Sequence, residues 1–323
     1  MADRPVEIVV ITQDVPHLAA GLAEACPEVI IHAGESASEV LAHAATAQVL
    51  MGLAQSITPG LVAATPQLQW IQAFTTGVDP LLALGLPGHI LVTSARGIHG
   101  PQMSEMAFMH MLALGRGLPR MVDNQHRAAW ERWPQRLLLG KTAVLVGVGT
   151  ISEELAVRCQ AFGMRVIGIS DARNEGRGFD VIRPRNELVR TAREADFLIV
   201  LAAYTPETRH LVDGTILDAL PSHGFLINLA RGPVVDEAAL VDRLRRRTFA
   251  GAGLDVFDVE PLPARSPLWQ LDNVLITPHL GGMSDCYDEQ LLPLVADNVR
   301  AFIAGDHSRM RNRINLGLAG AVA

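Results

Sequence analysis

Gly147-Val148-Gly149 stands between an apolar run, Thr142 to Gly147 (TAVLVG), and a helical pattern over Ser152 to Phe162. A glycine turn joining a strand to a helix constrains the fold more than any other feature of the chain. It implies a β-α-β unit and a parallel sheet covered by crossover helices. It also implies a ligand. Two glycines let the backbone approach a pyrophosphate, and Gly149, Thr150 and Ile151 lead into a helix N-terminus whose free N–H groups favour an anion. Ser152 replaces the third glycine of this dinucleotide fingerprint. It costs little volume and can serve as an N-cap. Glu153 and Glu154 follow; they would repel a pyrophosphate if aimed at it, so they are expected to face solvent.

Strand-like runs recur on both sides of this turn. Before it come Glu7 to Thr12, Val29 to His32, Ala47 to Met51, Leu68 to Phe74 and Leu91 to Thr93; after it come Arg165 to Ser170, Phe197 to Ala202, Phe225 to Leu229, Gly251 to Asp255 and Val274 to Thr277. Helical stretches separate most of them. With 323 residues, 49% of them hydrophobic, the reading is α/β: two Rossmann-like domains, each a doubly wound parallel sheet, with a cleft between them. The helix from Asp288 to about Ala304 crosses back to the first domain. Residues 1–98 plus 290–323 then form one discontinuous domain and 99–289 the dinucleotide-binding one. After the punctuation GIHGP (97–101), a single long helix is expected from Gln102 to about Trp130. Its Met103, Met106, Phe108, Met109 and Met111 read as core packing. Arg243, Arg245, Arg246 and Arg247 read as a solvated helix end.

A formal charge of −7 disfavours nucleic acid as a partner. The three cysteines, Cys26, Cys159 and Cys286, are too far apart for a disulfide framework or a thiolate zinc site. His99, His110 and His126 are scattered, so no metal is expected. Asp3, Arg4 and Glu7 precede the first apolar run, which does not resemble a signal peptide. No apolar run reaches membrane-spanning length. A cytoplasmic protein with no membrane partner is expected.

The adenosine end of a dinucleotide meets the end of the second strand. Asp171 lies 24 positions after Gly147. A carboxylate there bonds the ribose of NAD and repels the phosphate of NADP, whereas Ser170 with Arg173 suits NADP. The charge of Asp171 tilts the reading to NAD.

Three segments past later strands carry chemistry: Asn228-Leu229-Ala230-Arg231-Gly232, Gly253 to Pro261, and Thr277-Pro278-His279-Leu280-Gly281-Gly282. Ligands collect at the carboxyl ends of parallel strands, so Arg231, Glu260 and His279 can converge. Arg231 can grip a carboxylate and carbonyl through its fork of donors. His279 can give or take a proton near neutral pH. Glu260 can orient the imidazole and stabilise its charged form. Together they suit hydride exchange between a nicotinamide and a small 2-hydroxy or 2-oxo acid.

On FLINLARGPVVDEAAL (225–240), the run 251–261 and the turn 277–282, the chain resembles the D-isomer-specific 2-hydroxyacid dehydrogenases, most nearly their glyoxylate/hydroxypyruvate reductase-like members. The resemblance implies that Arg231, Glu260 and His279 are the catalytic set. It implies a dinucleotide role for Thr150, Ile151, Asp255 and the backbone of Leu229, Ala230 and Arg231. It implies that Ala202, Ala203 and Thr208 line the same site, with Ala203 where the family usually has proline. The loop Phe74 to Val78 would bind substrate through Thr75, Thr76 and Gly77, besides Arg231 and His279. The segment near 101–135 would build a homodimer. The chain's end at residue 323 argues against the serine-sensing, allosteric form of phosphoglycerate dehydrogenase, and the N-terminal segments do not resemble the formate branch. Two alternatives stand beside this reading. One is a non-catalytic dinucleotide-sensing protein on the same scaffold. The other is a Rossmann enzyme of different chemistry, for which no further nucleophile or base motif is found.

Overall fold

The structure, a computed structural model, describes residues 4–13 and 15–315. Asp3 and residues 316–323, which figured in the N-terminal reading and the domain assignment, lie outside the described residues.

The chain divides into two compact units, one holding the residues up to Ile98 and from Ser284 onward, the other His99–Met283. In the first unit β1 (Glu7–Ile11), α1 (Val15–Ala25), β2 (Ile30–Gly34), α2 (Ala37–Ala44), β3 (Val49–Gly52), α3 (Pro59–Ala63), β4 (Trp70–Ala73), α4 (Asp79–Leu82) and β5 (Leu91–Thr93) follow one another. The second unit runs α5 (Gly100–Arg116), α6 (Leu118–His126), β6 (Thr142–Val146), α7 (Thr150–Ala161), β7 (Arg165–Ile169), β8 (Val181–Arg183), α8 (Leu188–Ala192), β9 (Phe197–Val200), α9 (Gly214–Ala219), β10 (Phe225–Asn228), α10 (Glu237–Arg246), β11 (Gly251–Leu254) and β12 (Val274–Ile276). α11 (Tyr287–Ile303) returns to the first unit. The return begins at Ser284 rather than 290, because the turn that starts α11 already belongs with that unit.

Both sheets are parallel throughout, with orders β2-β1-β3-β4-β5 and β12-β11-β10-β9-β6-β7-β8. From β8 to β11 the second order is that of a dinucleotide-binding sheet, extended by β12; the first is flavodoxin-like. The two doubly wound sheets expected from the sequence are therefore present. Strands covered on both faces alternate their apolar residues between two cores. In β6, Val144 and Val146 join one cluster while Ala143 and Leu145 face α5 and α7 in the other. In the first unit Ile8 and Val10 meet Leu291, Leu294, Val295, Val299 and Phe302 of α11. At roughly 1.5–3 kcal/mol per fully buried side chain, this face is enough to recruit the helix.

Two expectations fail. The long helix from Gln102 breaks at Gly117, whose φ is +71°. A left-handed residue ends a helix, and Pro119 starts the next one. Beyond His126 the chain is irregular rather than helical to Trp130. β8 was not foreseen: it is three residues at the sheet edge, too short to carry a period.

Candidate active site

The exits of β10, β11 and β12 interlock. Past β10, the buried Asn228 side chain accepts from Ala230 N–H at 3.1 Å and donates to the Arg231 carbonyl at 3.1 Å. This closes the turn that presents Arg231. The Arg231 Nη1 donates to the Ala230 carbonyl at 2.7 Å. Gly232 then packs against the backbone of Phe257 so closely that any Cβ would collide with its carbonyl carbon. The chain leaving β10 is thus seated on the chain leaving β11.

Past β11, the Phe257 N–H donates to Glu260 Oε1 at 2.9 Å, and Glu260 Oε2 lies 2.6 Å from His279 Nδ1. Burial pushes the Glu260 carboxyl up, but the bonds from His279 and Phe257 outweigh it and leave the group below its ordinary value. An ionised carboxylate only accepts, so Nδ1 carries the proton and Nε2 is left for a reacting group. The bond to Glu260 raises the His279 pKa above its ordinary value, against burial and the Arg231 guanidinium. His279 itself stands at φ +55°, and its N–H donates to the Asp255 carbonyl at 2.9 Å.

Asp255 was expected to meet the dinucleotide. It is buried, and its carboxylate accepts from the Thr277 hydroxyl at 2.5 Å and from Leu280 and Gly281 N–H at 2.9 Å each. It first of all holds the turn that carries His279. Of about four lone-pair positions on a carboxylate, these bonds leave one.

On the cofactor side, Gly147 has φ +99° and a Cβ there would lie 2.8 Å from Ala202 backbone atoms. Only glycine fits this turn. A Cβ on Gly149 would meet nothing within 4 Å. Gly149 is the N-cap of α7, so this helix N-terminus opens onto free space that suits a pyrophosphate. Ser152 is not the N-cap. It is buried in the first turn of α7, and its hydroxyl donates to the Gly147 carbonyl at 2.7 Å, which braces the glycine turn. Glu153 and Glu154 do not simply face solvent. Glu153 pairs with Arg173 at 2.7 Å, and Glu154 pairs with Arg158 and Arg177.

At the end of β7, Ser170 Oγ accepts from Ala172 and Arg173 N–H. Asp171 accepts from Arg185 N–H at 2.7 Å and lies 3.5 Å from the Arg185 guanidinium. Thr208 is buried and donates its hydroxyl to the Ala203 carbonyl at 2.8 Å, which shapes the loop that runs on from Ala202. Leu229 and Ala230 are buried, and their N–H groups are taken by Val200 and Asn228. Arg231, Glu260 and His279 all belong to the second unit. Thr75, Thr76 and Gly77 follow β4 in the first, where the Thr75 hydroxyl donates to the Gly77 carbonyl at 2.6 Å and Tyr287 donates to the Phe74 carbonyl.

Residues 108–281 match the family model described as the NAD-binding domain of D-isomer specific 2-hydroxyacid dehydrogenases. A glyoxylate reductase from Pyrococcus horikoshii is 32% identical over 251 residues, 75% of each chain. A D-3-phosphoglycerate dehydrogenase from Methanocaldococcus jannaschii is 28% identical over 92% of this chain, which spans only 58% of that protein's length. Among solved structures, a D-isomer specific 2-hydroxyacid dehydrogenase family protein from Aeromonas salmonicida superposes with a TM-score of 0.90 at 32% identity, over 97% of this chain and all of that one. An NADPH-dependent glyoxylate/hydroxypyruvate reductase from Sinorhizobium meliloti, in complex with NADP and sulfate, does so with a TM-score of 0.84 at 25% identity, over 98% of this chain and all of that one.

Proposed function

The chain belongs to the D-isomer-specific 2-hydroxyacid dehydrogenase family, and from that premise we propose that it is an NAD(P)-dependent reductase of a small 2-oxo acid, glyoxylate or hydroxypyruvate by preference. The observation that carries the proposal is the 2.6 Å pair of His279 and Glu260 with Arg231 beside it at the strand ends. The same pair favours an enzyme over a dinucleotide sensor, which needs no poised proton.

Arg231 binds the substrate carboxylate and its carbonyl oxygen. His279 holds a proton at Nε2 when charged and gives it to the carbonyl oxygen. Glu260 keeps the ring oriented and favours its charged form. The nicotinamide, when bound, supplies the hydride. Gly147, Gly149, Thr150 and Ile151 would hold the pyrophosphate, and Asp171 the adenosine ribose. Asp171 supports NAD, because its charge repels a 2′-phosphate and Arg173 is already paired with Glu153.

Turnover of glyoxylate, hydroxypyruvate, pyruvate and a bulky aromatic 2-oxo acid, each with NADH and NADPH, tests this reading. The small acids with NADH are expected to give the highest kcat/KM. No oxidation of either cofactor with any acid would sink it.

Reduction consumes the charged imidazole, so its rate falls as pH rises through the His279 pKa. Glu260→Gln removes the bond that raises this pKa. The alkaline limb of reduction is therefore expected to move to lower pH, as is the acid limb of the reverse oxidation. Unmoved limbs in a pH–rate profile would contradict the role given to Glu260.

We infer further that a homodimer forms through the segment near 101–135. Met109, read from the sequence as core packing, is instead exposed there, as are Leu112, Leu118, Met121, Val122 and Trp130, the last to 94%. Apolar surface gathered in one segment supports an interface, and sedimentation at the monomer mass would exclude it. No helix among the described residues is long and apolar enough to cross a membrane; cytoplasmic placement is part of the proposal.

A further inference from the structure

His110 sits within α5 and is completely buried. Its Nε2 lies 3.2 Å from Thr277 Oγ1, and that hydroxyl lies 2.5 Å from Asp255 Oδ1. A hydroxyl has one proton and an ionised carboxylate only accepts. Thr277 therefore donates to Asp255 and accepts from His110, so Nε2 carries the imidazole proton. Nδ1 is left as a bare acceptor with no hydrogen-bond partner among the described residues. It rests on Gly253 of β11, where any side chain would collide with the ring. The seat thus fits a neutral imidazole in one tautomer. Burial pushes the His110 pKa down to about 4, against the pull of Asp255. A ring that stays neutral and completely buried is unsuited to proton transfer with substrate.

The chain of contacts continues past Asp255. The Asp255 carbonyl accepts the N–H of His279 itself, and its carboxylate accepts the next two N–H groups. Three side chains therefore connect α5 to the peptide groups that set the direction of His279, a residue held at φ +55°. Charged groups acting on His279 are Glu260, Arg231 and Asp255; the one acting on His110 is Asp255.

We propose that His110 is a positioning residue for the reaction: through Thr277 and Asp255 it fixes the 277–281 turn and, with it, the imidazole of His279. This rests on the catalytic reading of His279 given above.

The test compares the wild type with H110L, H110Q, T277V, T277S and the H110L/T277V double variant. H110L is expected to lower kcat about 10–100-fold, the range for groups that orient a functional ligand, with KM for the 2-oxo acid within about threefold. H110Q, whose amide can still donate to Thr277, recovers most of the loss. T277V falls like H110L, T277S stays near wild type, and the double variant falls no further than the worse single one, as coupled residues do. An NMR titration of labelled histidine shows His279 losing part of its upward pKa shift in H110L and regaining it in H110Q. H110L with wild-type kcat and titration overturns the proposal, as do H110Q equal to H110L or additive losses. If H110L does not fold, T277V decides: wild-type turnover and titration there overturn the proposal. The titration needs no turnover, so an inactive wild type would sink the proposed function while the imidazole's behaviour still decides the positioning claim.

Discussion

His279→Asn is expected to lower turnover of a 2-oxo acid by about 10²–10⁴-fold, the usual worth of a positioned acid or base, while cofactor affinity stays within about threefold. Asparagine is the informative choice. His279 stands at φ +55°, and asparagine tolerates the left-handed region better than most residues. The loss then reports the missing proton carrier rather than a strained backbone. The pH–rate profile should also flatten near neutrality, because the group whose charge Glu260 favours is gone. Turnover within fivefold of wild type, or an unaltered profile, would remove His279 from the mechanism.

Arg231→Lys should cost about 10²–10³-fold in kcat/KM, although the charge is kept. The guanidinium donates through Nη1 to the Ala230 carbonyl at 2.7 Å, which fixes the plane of its fork. A lysine ammonium is a point charge without that planar fork. Arg231→Gln removes the charge as well. Since Arg231 depresses the His279 pKa, the glutamine variant should move the alkaline limb of reduction to higher pH, whereas the lysine variant should leave it in place. Steady-state kinetics of both variants across pH separate grip from charge. Wild-type efficiency in the lysine variant would mean that substrate is held elsewhere.

The fold was legible because its central strands are buried on both faces. TAVLVG, FLIVLA and FLINL are short, apolar and β-branched, and each ends in a turn. The placement of Arg231, Glu260 and His279 was legible for the same reason: each follows a strand of one parallel sheet within a few residues, and the catalytic role proposed for them rests on their chemistry. What the pattern hid was whatever depends on through-space partners. The helix break at Gly117 was masked by an apolar periodicity that runs straight through it. Ser152 read as a lost glycine, while its hydroxyl is the brace of the Gly147 turn. The bonds of Asp255 to the 277–281 turn were hidden, because nothing in one sequence tells which peptide groups a carboxylate will meet. His110 was passed over among scattered histidines, since its glycine seat and Thr277 lie 143 and 167 positions away.

The seat of Gly232 on Phe257 has a further consequence for how such a molecule diversifies. It couples the segment bearing Arg231 to the one bearing Glu260, and Asp255 couples both to the one bearing His279. A change that shifts one of these segments shifts its neighbours, so the reacting groups form an engine block that resists piecemeal tuning. Thr75, Thr76 and Gly77 stand on a separate domain, outside that lock. On the role expected for that loop in reading the acid, new substrate preferences are most cheaply acquired there, while the coupled segments of Arg231, Glu260 and His279 are inherited whole.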